Sequence, residues 1–240
     1  MSVLRLAFRR ETVAPMLALV FATLVCGLLV ALRIFRTGQL QYKFLLWNLF
    51  LAWIPLVLAF VAAHAWQGAQ TAKNWRAVAA GLAWLLFFPN SPYILTDIIH
   101  LMGPLYRHFW IDFTLIITCA FTGLMVGFVS LFIMQSLVRR VAGQLAAWVF
   151  IAGVACLSGF GVYVGRFLRF NSWDVFVRPS RVFDSVAGWV SNPQAHPSAY
   201  FPLLFAAFLF LSYVMLYALT HLQHAAPQLA PQPAGNPRAA

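Results

Sequence analysis

Residues 44–66 read FLLWNLFLAWIPLVLAFVAAHAW, without one Asp, Glu, Lys or Arg. As a helix at about 1.5 Å per residue, this run covers roughly 35 Å, more than the roughly 30 Å hydrocarbon core of a bilayer. Pro55 sits near its middle, where a membrane helix tolerates proline as a kink if neighbours satisfy the freed carbonyl. The rest of the chain is of the same kind. It is 62% apolar and only 9% charged, with a mean hydropathy of +0.82; soluble domains are about 45–50% apolar and about 25% charged. A soluble core of 240 residues could not hide that surface, so the excess faces lipid. The composition predicts an all-α integral membrane helix bundle of about six transmembrane helices. One transmembrane helical domain covers residues 1–222, and 223–240 form a disordered Pro/Ala-rich tail.

The other spans follow from apolar runs and their breaks. Helix one covers about Thr12 to Leu32. Its basic start (Arg5, Arg9, Arg10) resembles a signal peptide, but the run is too long and no small-x-small site precedes Arg33, so it is read as retained. Helix three is continuous from Trp75 to Phe88, only about 21 Å. Pro89-Asn90-Ser91-Pro92 then breaks it, since each proline pushes Phe88 or Ser91 out of the α region. Helix resumes near Tyr93 and stops before Gly103-Pro104. Helix four (Trp110–Gln135) carries Gly123 and Gly127; helix five (Leu145–Leu168) carries Gly161 and Gly165, with Ala155 and Gly159 at the same spacing. Small residues four apart are packing devices that let helices approach closely. Within 169–199, Ser180 can cap a short interfacial helix whose apolar face is Val182, Phe183, Val186, Ala187, Trp189 and Val190. Helix six covers about Ala199 to Leu219. The inverted repeat that marks many transporters is not visible.

The net charge of +11, from 16 Lys and Arg against 5 acids, would suggest nucleic acid in a soluble protein. Here the cations stand between apolar runs, as anchors for anionic headgroups, so membrane lipid is the expected partner and nucleic acid is not. Cys26, Cys119 and Cys156 lie in separate apolar runs and read as small hydrophobes without a redox role. Counting basic residues on the two sides ties at eight each. The basic cluster before the first helix leans the termini to the cytoplasm. Oligomeric state is open.

Of the acids Glu11, Asp97, Asp112, Asp174 and Asp184, the last four fall on the side opposite the termini. Ionisable groups near a bilayer core are costly and tend to be paired or functional. Tyr93, Asp97 and His100 follow i, i+4, i+7 spacing and line one helical stripe. Arg166 and Arg169 end helix five beside Asn171-Ser172-Trp173-Asp174, where Asn171 and Asp174 also fit a helix-start cap. These residues predict a mixed-charge cluster, Asp97 and Asp112 opposite Arg166 and Arg169, with Tyr93 and His100 adjacent. It reads either as a staple between helices or as a pocket for a polar or anionic group, since paired arginines suit carboxylate and phosphate. Asp97, His100, His108 and Asp112 are metal-ligand types, but their spacing matches no metal signature, and His221 with His224 is weaker still. No HExxH, GxSxG or P-loop is present, and no cofactor is implied.

Two stretches, WLLFFPNSPYILTDIIHL at 84–101 and GRFLRFNSWD at 165–174, resemble the bacterial membrane family catalogued as domain of unknown function 1361. The likeness covers roughly residues 40–220. The family runs PNxPYxxTDxxHL and GRFxRxNSWD are both matched, with Phe170 where an aromatic is expected. The resemblance implies a polytopic bacterial inner-membrane protein and no particular activity. It implies that Pro89, Asn90, Pro92, Tyr93, Thr96, Asp97, His100, Arg166, Arg169, Asn171, Trp173 and Asp174 belong to the family's own motifs, and the candidate cluster is Asn90, Tyr93, Asp97, His100, Asp112, Arg166, Arg169, Asn171 and Asp174.

Three functions fit these residues: binding or transport of a small polar or anionic solute near one interface, a scaffold whose charges staple the bundle, and a membrane-embedded enzyme using Asp97 or His100 as acid or base on a lipid-linked substrate. The first ranks highest and the enzyme lowest.

Overall fold

A computed structural model describes residues 10–67, 75–101, 108–192 and 199–229. The regular elements among them are all helical: α1 (Arg10–Thr37), α2 (Lys43–Gln67), α3 (Trp75–Phe87), α4 (Asn90–Tyr93), a 3-10 helix (Ile94–Leu101), α5 (Phe109–Arg166), α6 (Asp174–Val177), α7 (Pro179–Ser191) and α8 (Phe201–Leu229). Five stretches are long and apolar enough to cross a membrane, with α3 to the 3-10 helix counted as one. The expected all-α bundle is what forms. Lys73 and Arg107 lie outside the described residues, as do Arg5, Arg9 and residues 230–240 of the tail; α8 runs on to Leu229.

Each outer helix turns one seam inward and gives the rest to lipid. On α1 the seam is Leu19, Cys26, Val30 and Arg33, while Leu17, Phe21, Leu24, Leu28 and Leu32 are exposed. On α8, Ala206, Leu209 and Tyr213 face in, and Leu204, Leu211 and Met215 face out. A helix of a water-soluble protein would carry polar residues on its outer face.

α5 is 58 residues long, roughly 87 Å if straight. It is folded back at Gly143, whose φ of 86° and ψ of 179° leave the helical region. A Cβ built there would meet nothing within 4 Å, so glycine is required by the backbone and not by space. Packing against the broken third span fixes the direction of the two arms. Gly127 and then Gly123 meet Ser91 and Ile94, whereas Gly161 and then Gly165 meet Pro89 and Tyr93. Numbers fall along one arm and rise along the other, so the arms are antiparallel and are the expected helices four and five. Where the sequence reading leaves a connection over 136–144, helix continues to residue 142 and a single glycine makes the turn. Nothing between Ser136 and Ala142 is proline or glycine, so nothing stops the helix earlier.

The third span breaks where the prolines stand, though with a different continuation. After the turn at Phe88 and Pro89, Asn90–Tyr93 form one α turn that includes Ser91, which was expected to leave the α region. From Ile94 the chain is 3-10 rather than α. Its rise of about 2.0 Å per residue carries eight residues roughly 16 Å, which completes the crossing. Ser91 donates to the carbonyl of Ala52 at 2.9 Å, next to the Leu51 carbonyl that Pro55 leaves without its helical donor, and α2 stays continuous.

The glycine pairs act as the packing devices expected. A Cβ on Gly127 would stand 2.7 Å from Ser91 Cβ, and one on Gly161 2.7 Å from Pro89 Cγ. A Cβ on Gly159 would stand 2.2 Å from the Pro202 carbonyl of α8. The two arms of α5 thus grip the break from both sides.

Candidate functional site

The C-terminal end of α1, the N-terminal end of α2, the 3-10 helix and both outer ends of α5 meet at one end of the bundle, because charged side chains on them pair. Asp97 is buried, at 1% exposure. Its two oxygens are taken by Arg166 Nη2 and by Asn48 Nδ2, the latter at 2.8 Å. Arg166 Nε donates to Thr96 Oγ1 at 2.8 Å, and the guanidinium carbon lies 4.4 Å from the Tyr93 ring centroid. The Thr96 hydroxyl in turn donates to the Tyr93 carbonyl. Asp97 and Arg166 are therefore at the same end, as expected.

Asp112 does not join them. It is 3% exposed and forms a two-pronged pair with Arg33, Nη2 to Oδ2 at 3.0 Å and Nε to Oδ1. The sequence reading places Arg33 as a headgroup anchor beyond helix one. In the structure α1 continues to Thr37 and Arg33 turns onto its inward seam. A single buried carboxylate is matched by a single guanidinium, which leaves no charge for Arg166 or Arg169.

The expected α-helical stripe of Tyr93, Asp97 and His100 is redistributed by the 3-10 turn. Asp97 points into the bundle, while His100 is exposed, with Nε2 4.0 Å from Asp97 Oδ1 and its ring 4.7 Å from that of Phe44. Asp174 serves as the helix-start acid of the alternative reading: its Oδ2 accepts the Asn171 backbone N–H at 2.6 Å, and it fixes that turn. The short helix expected before the last span forms, but from Pro179, with Arg178 and not Ser180 at the capping position. Val182, Val186, Ala187 and Trp189 are partly covered, and Phe183 is 72% exposed on the other side. Trp189 holds α7 to the bundle through the Phe160 and Tyr163 rings, at 5.3 and 5.7 Å.

Between α2, the break, the second arm of α5 and α7 lies a cavity of about 810 Å³. Asn90, Tyr93, His100, Arg166, Arg169 and Asn171 line it, so six of the nine candidates converge; Asp97 stands behind its wall on Arg166 and Asn48, and Asp112 and Asp174 do not line it. Trp47, Asn48 and Ser172 line it too and were not anticipated. Asn48 carries a legible signal, as the polar residue near the start of the uncharged run of 44–66. Asn90 Nδ2 bridges the two family motifs, donating to the Phe87 carbonyl at 2.9 Å and to Ser172 Oγ at 3.0 Å.

Arg169 is the site's strained residue. Its φ of 60° is left-handed, a conformation that ends helices and that glycine usually supplies. A bulky residue there costs on the order of 1 kcal/mol. Among the described residues it forms no hydrogen bond or ion pair. The cavity thus holds one compensated guanidinium, one uncompensated guanidinium and the amide donors of asparagines. Among the described residues no three His, Cys, Asp or Glu side chains are gathered as a metal ion would need.

No curated protein and no solved structure matches the chain. A family model described as "Protein of unknown function (DUF1361)" matches residues 47–215, a span that includes every residue lining the cavity, and the chain belongs to that family.

Proposed function

We propose that the protein is a bacterial inner-membrane protein that binds, and in doing so serves the transport of, a small anionic solute at this cavity. One observation carries the reading: Arg169 stands at the exposed rim of a donor-rich cavity without a carboxylate partner, in a backbone conformation that costs energy to hold. Charge accounting supports it. Asp97 is paired with Arg166 and Asp112 with Arg33, while the Asp174 carboxylate is turned onto the Asn171 backbone N–H, so none of these three acids pairs with Arg169. Guanidinium groups bind carboxylate and phosphate through paired hydrogen bonds.

The test is binding of inorganic phosphate and of acetate to the purified full-length protein, followed by calorimetry. Arg169→Gly removes the charge while keeping the φ, so it should fold at least as stably and lose anion binding about tenfold or more, roughly what one charge-assisted pair contributes. Anion binding equal to wild type in Arg169→Gly would reject the reading.

The scaffold alternative has its own support, since Arg33–Asp112 and Arg166–Asp97 each tie two spans together. It expects the charge swap Asp97→Arg with Arg166→Asp to restore whatever Asp97→Arg loses. For acid–base chemistry by Asp97 the geometry is poor, because both its oxygens are occupied and the carboxylate stands behind the cavity wall.

A further inference from the structure

The charged residues of the cavity are concentrated at one end of it. Arg166, Arg169, Asn171 and His100 gather at the end of the bundle, whereas Leu51, Leu86, Phe160, Val164, Val182 and Val186 make the deeper lining mostly apolar, with Asn90 the polar residue among them. Along α5, Phe160 lies six residues inward of Arg166, roughly 9 Å deeper. A site for a free polar ion has no use for an apolar chamber of that depth, since burying an ion beside hydrocarbon only adds desolvation cost.

The rim is divided in the same way. The exposed apolar residues of the cavity are Trp47 (55%), Ile99 (47%) and Val175 (42%), and Phe50 and Phe176 beside them in the chain are exposed too. On the polar side the exposed rim residues are His100, Arg169 and Asn171. Trp47 stands one helical turn from the start of α2, at the depth where tryptophan marks the boundary between headgroups and hydrocarbon. The mouth therefore straddles that boundary.

We propose that the ligand is an amphiphile. Its anionic headgroup, a phosphate monoester or a group of like charge, meets Arg169 and Arg166, and its chain lies between α2, the second arm of α5 and α7, entering sideways from the bilayer between Trp47 and Val175. The inference rests on the anion-binding reading above and adds the chain. α7 is the natural outer wall of such a chamber, because Val182 and Val186 face the cavity and Trp189 anchors the helix beyond it.

The experiment places full-length protein in phosphatidylcholine nanodiscs and compares two probes that share a headgroup, methyl phosphate and lysophosphatidic acid. Affinity is read from the ligand-dependent rise in melting temperature. Lysophosphatidic acid should bind at least tenfold more tightly than methyl phosphate, and both should lose affinity in Arg169→Gly. Val186→Trp and Val182→Trp, which fill the apolar half from the same wall, should each weaken lysophosphatidic acid about tenfold. Equal affinity for the two probes, or unchanged lysophosphatidic acid binding in both tryptophan variants, overturns the amphiphile while the anion site stands. Indifference of both probes to Arg169→Gly overturns the anion site itself.

Discussion

Arg33 and Asp112 form a fully covered ion pair, with side chains 8% and 4% exposed. Removing one member of such a pair leaves a charge without solvent or partner, and typically costs about 3–5 kcal/mol. Asp112→Asn should therefore lower the melting temperature sharply, whereas the double variant Arg33→Met with Asp112→Leu should regain most of the loss. Thermal unfolding in detergent checks both, and a double variant no better than the single one would mean that the pair does more than hold α1 to α5. The pair also shows where residue-level reading of the sequence runs out. An arginine just past an apolar run looks the same whether it meets a headgroup or turns inward by one more helical turn. Asp97 with Arg166 was legible because carboxylates are so scarce here that each one needs a cation. Which arginine goes to which acid depends on helix rotation, and nothing local records that.

At the scale of elements, the third span is held by contact with glycine on both sides. Gly161 meets Pro89, and on the same arm Gly153 has nothing within 4 Å of a built Cβ. Gly161→Val should destabilise by about 1–3 kcal/mol through overpacking. Gly153→Val, facing open space on the same helix, should change stability by less than about 0.5 kcal/mol. Comparing their melting curves separates a packing role from the general cost of a β-branched residue. Small-residue spacing and the two prolines made this arrangement readable in outline. The 3-10 continuation was not readable, because Ile94–Leu101 offers apolar residues at both i+3 and i+4 and so fits either helix. Tyr93 and His100 of the expected stripe still line one cavity, while Asp97 between them is buried on Arg166 and Asn48.

Across the whole molecule, exposed aromatic side chains mark two levels. Trp75 stands 72% exposed at the outer end of α3, with Arg76 5.7 Å from its ring, while Trp110 and Tyr200 stand 75% and 72% exposed at the cavity end. Two such belts are what the two bilayer interfaces select. The groove shared by Pro15, Met16, Tyr217 and Thr220 puts the outer ends of α1 and α8 at the Trp75 level, away from the cavity. With the termini in the cytoplasm, the orientation toward which the basic cluster before the first helix leans, the cavity opens toward the periplasmic leaflet. A phosphatase fused after Ala240 should then be inactive and a fluorescent protein there bright; the reverse pattern would turn the cavity to the cytoplasm. The lipid-facing bundle was plain from composition, since no other phase accepts so much apolar surface. The cavity was not, because it arises between elements 82 residues apart that meet through Asn90 and Ser172.

Separation along the chain also has a consequence for how the protein is made. Arg33 leaves the ribosome 79 residues before Asp112, and Asp97 leaves it 69 residues before Arg166. A nascent chain therefore carries first a lone cation and then a lone carboxylate, each destined for a dry interior and each without its counter-charge. Neither can sink to its final depth when its own segment is threaded into the bilayer. Helix one must wait near the headgroups for the first arm of the hairpin, and the broken span must wait for the second. Insertion is thus a two-step closure, timed by charge neutralisation, with the pocket completed last.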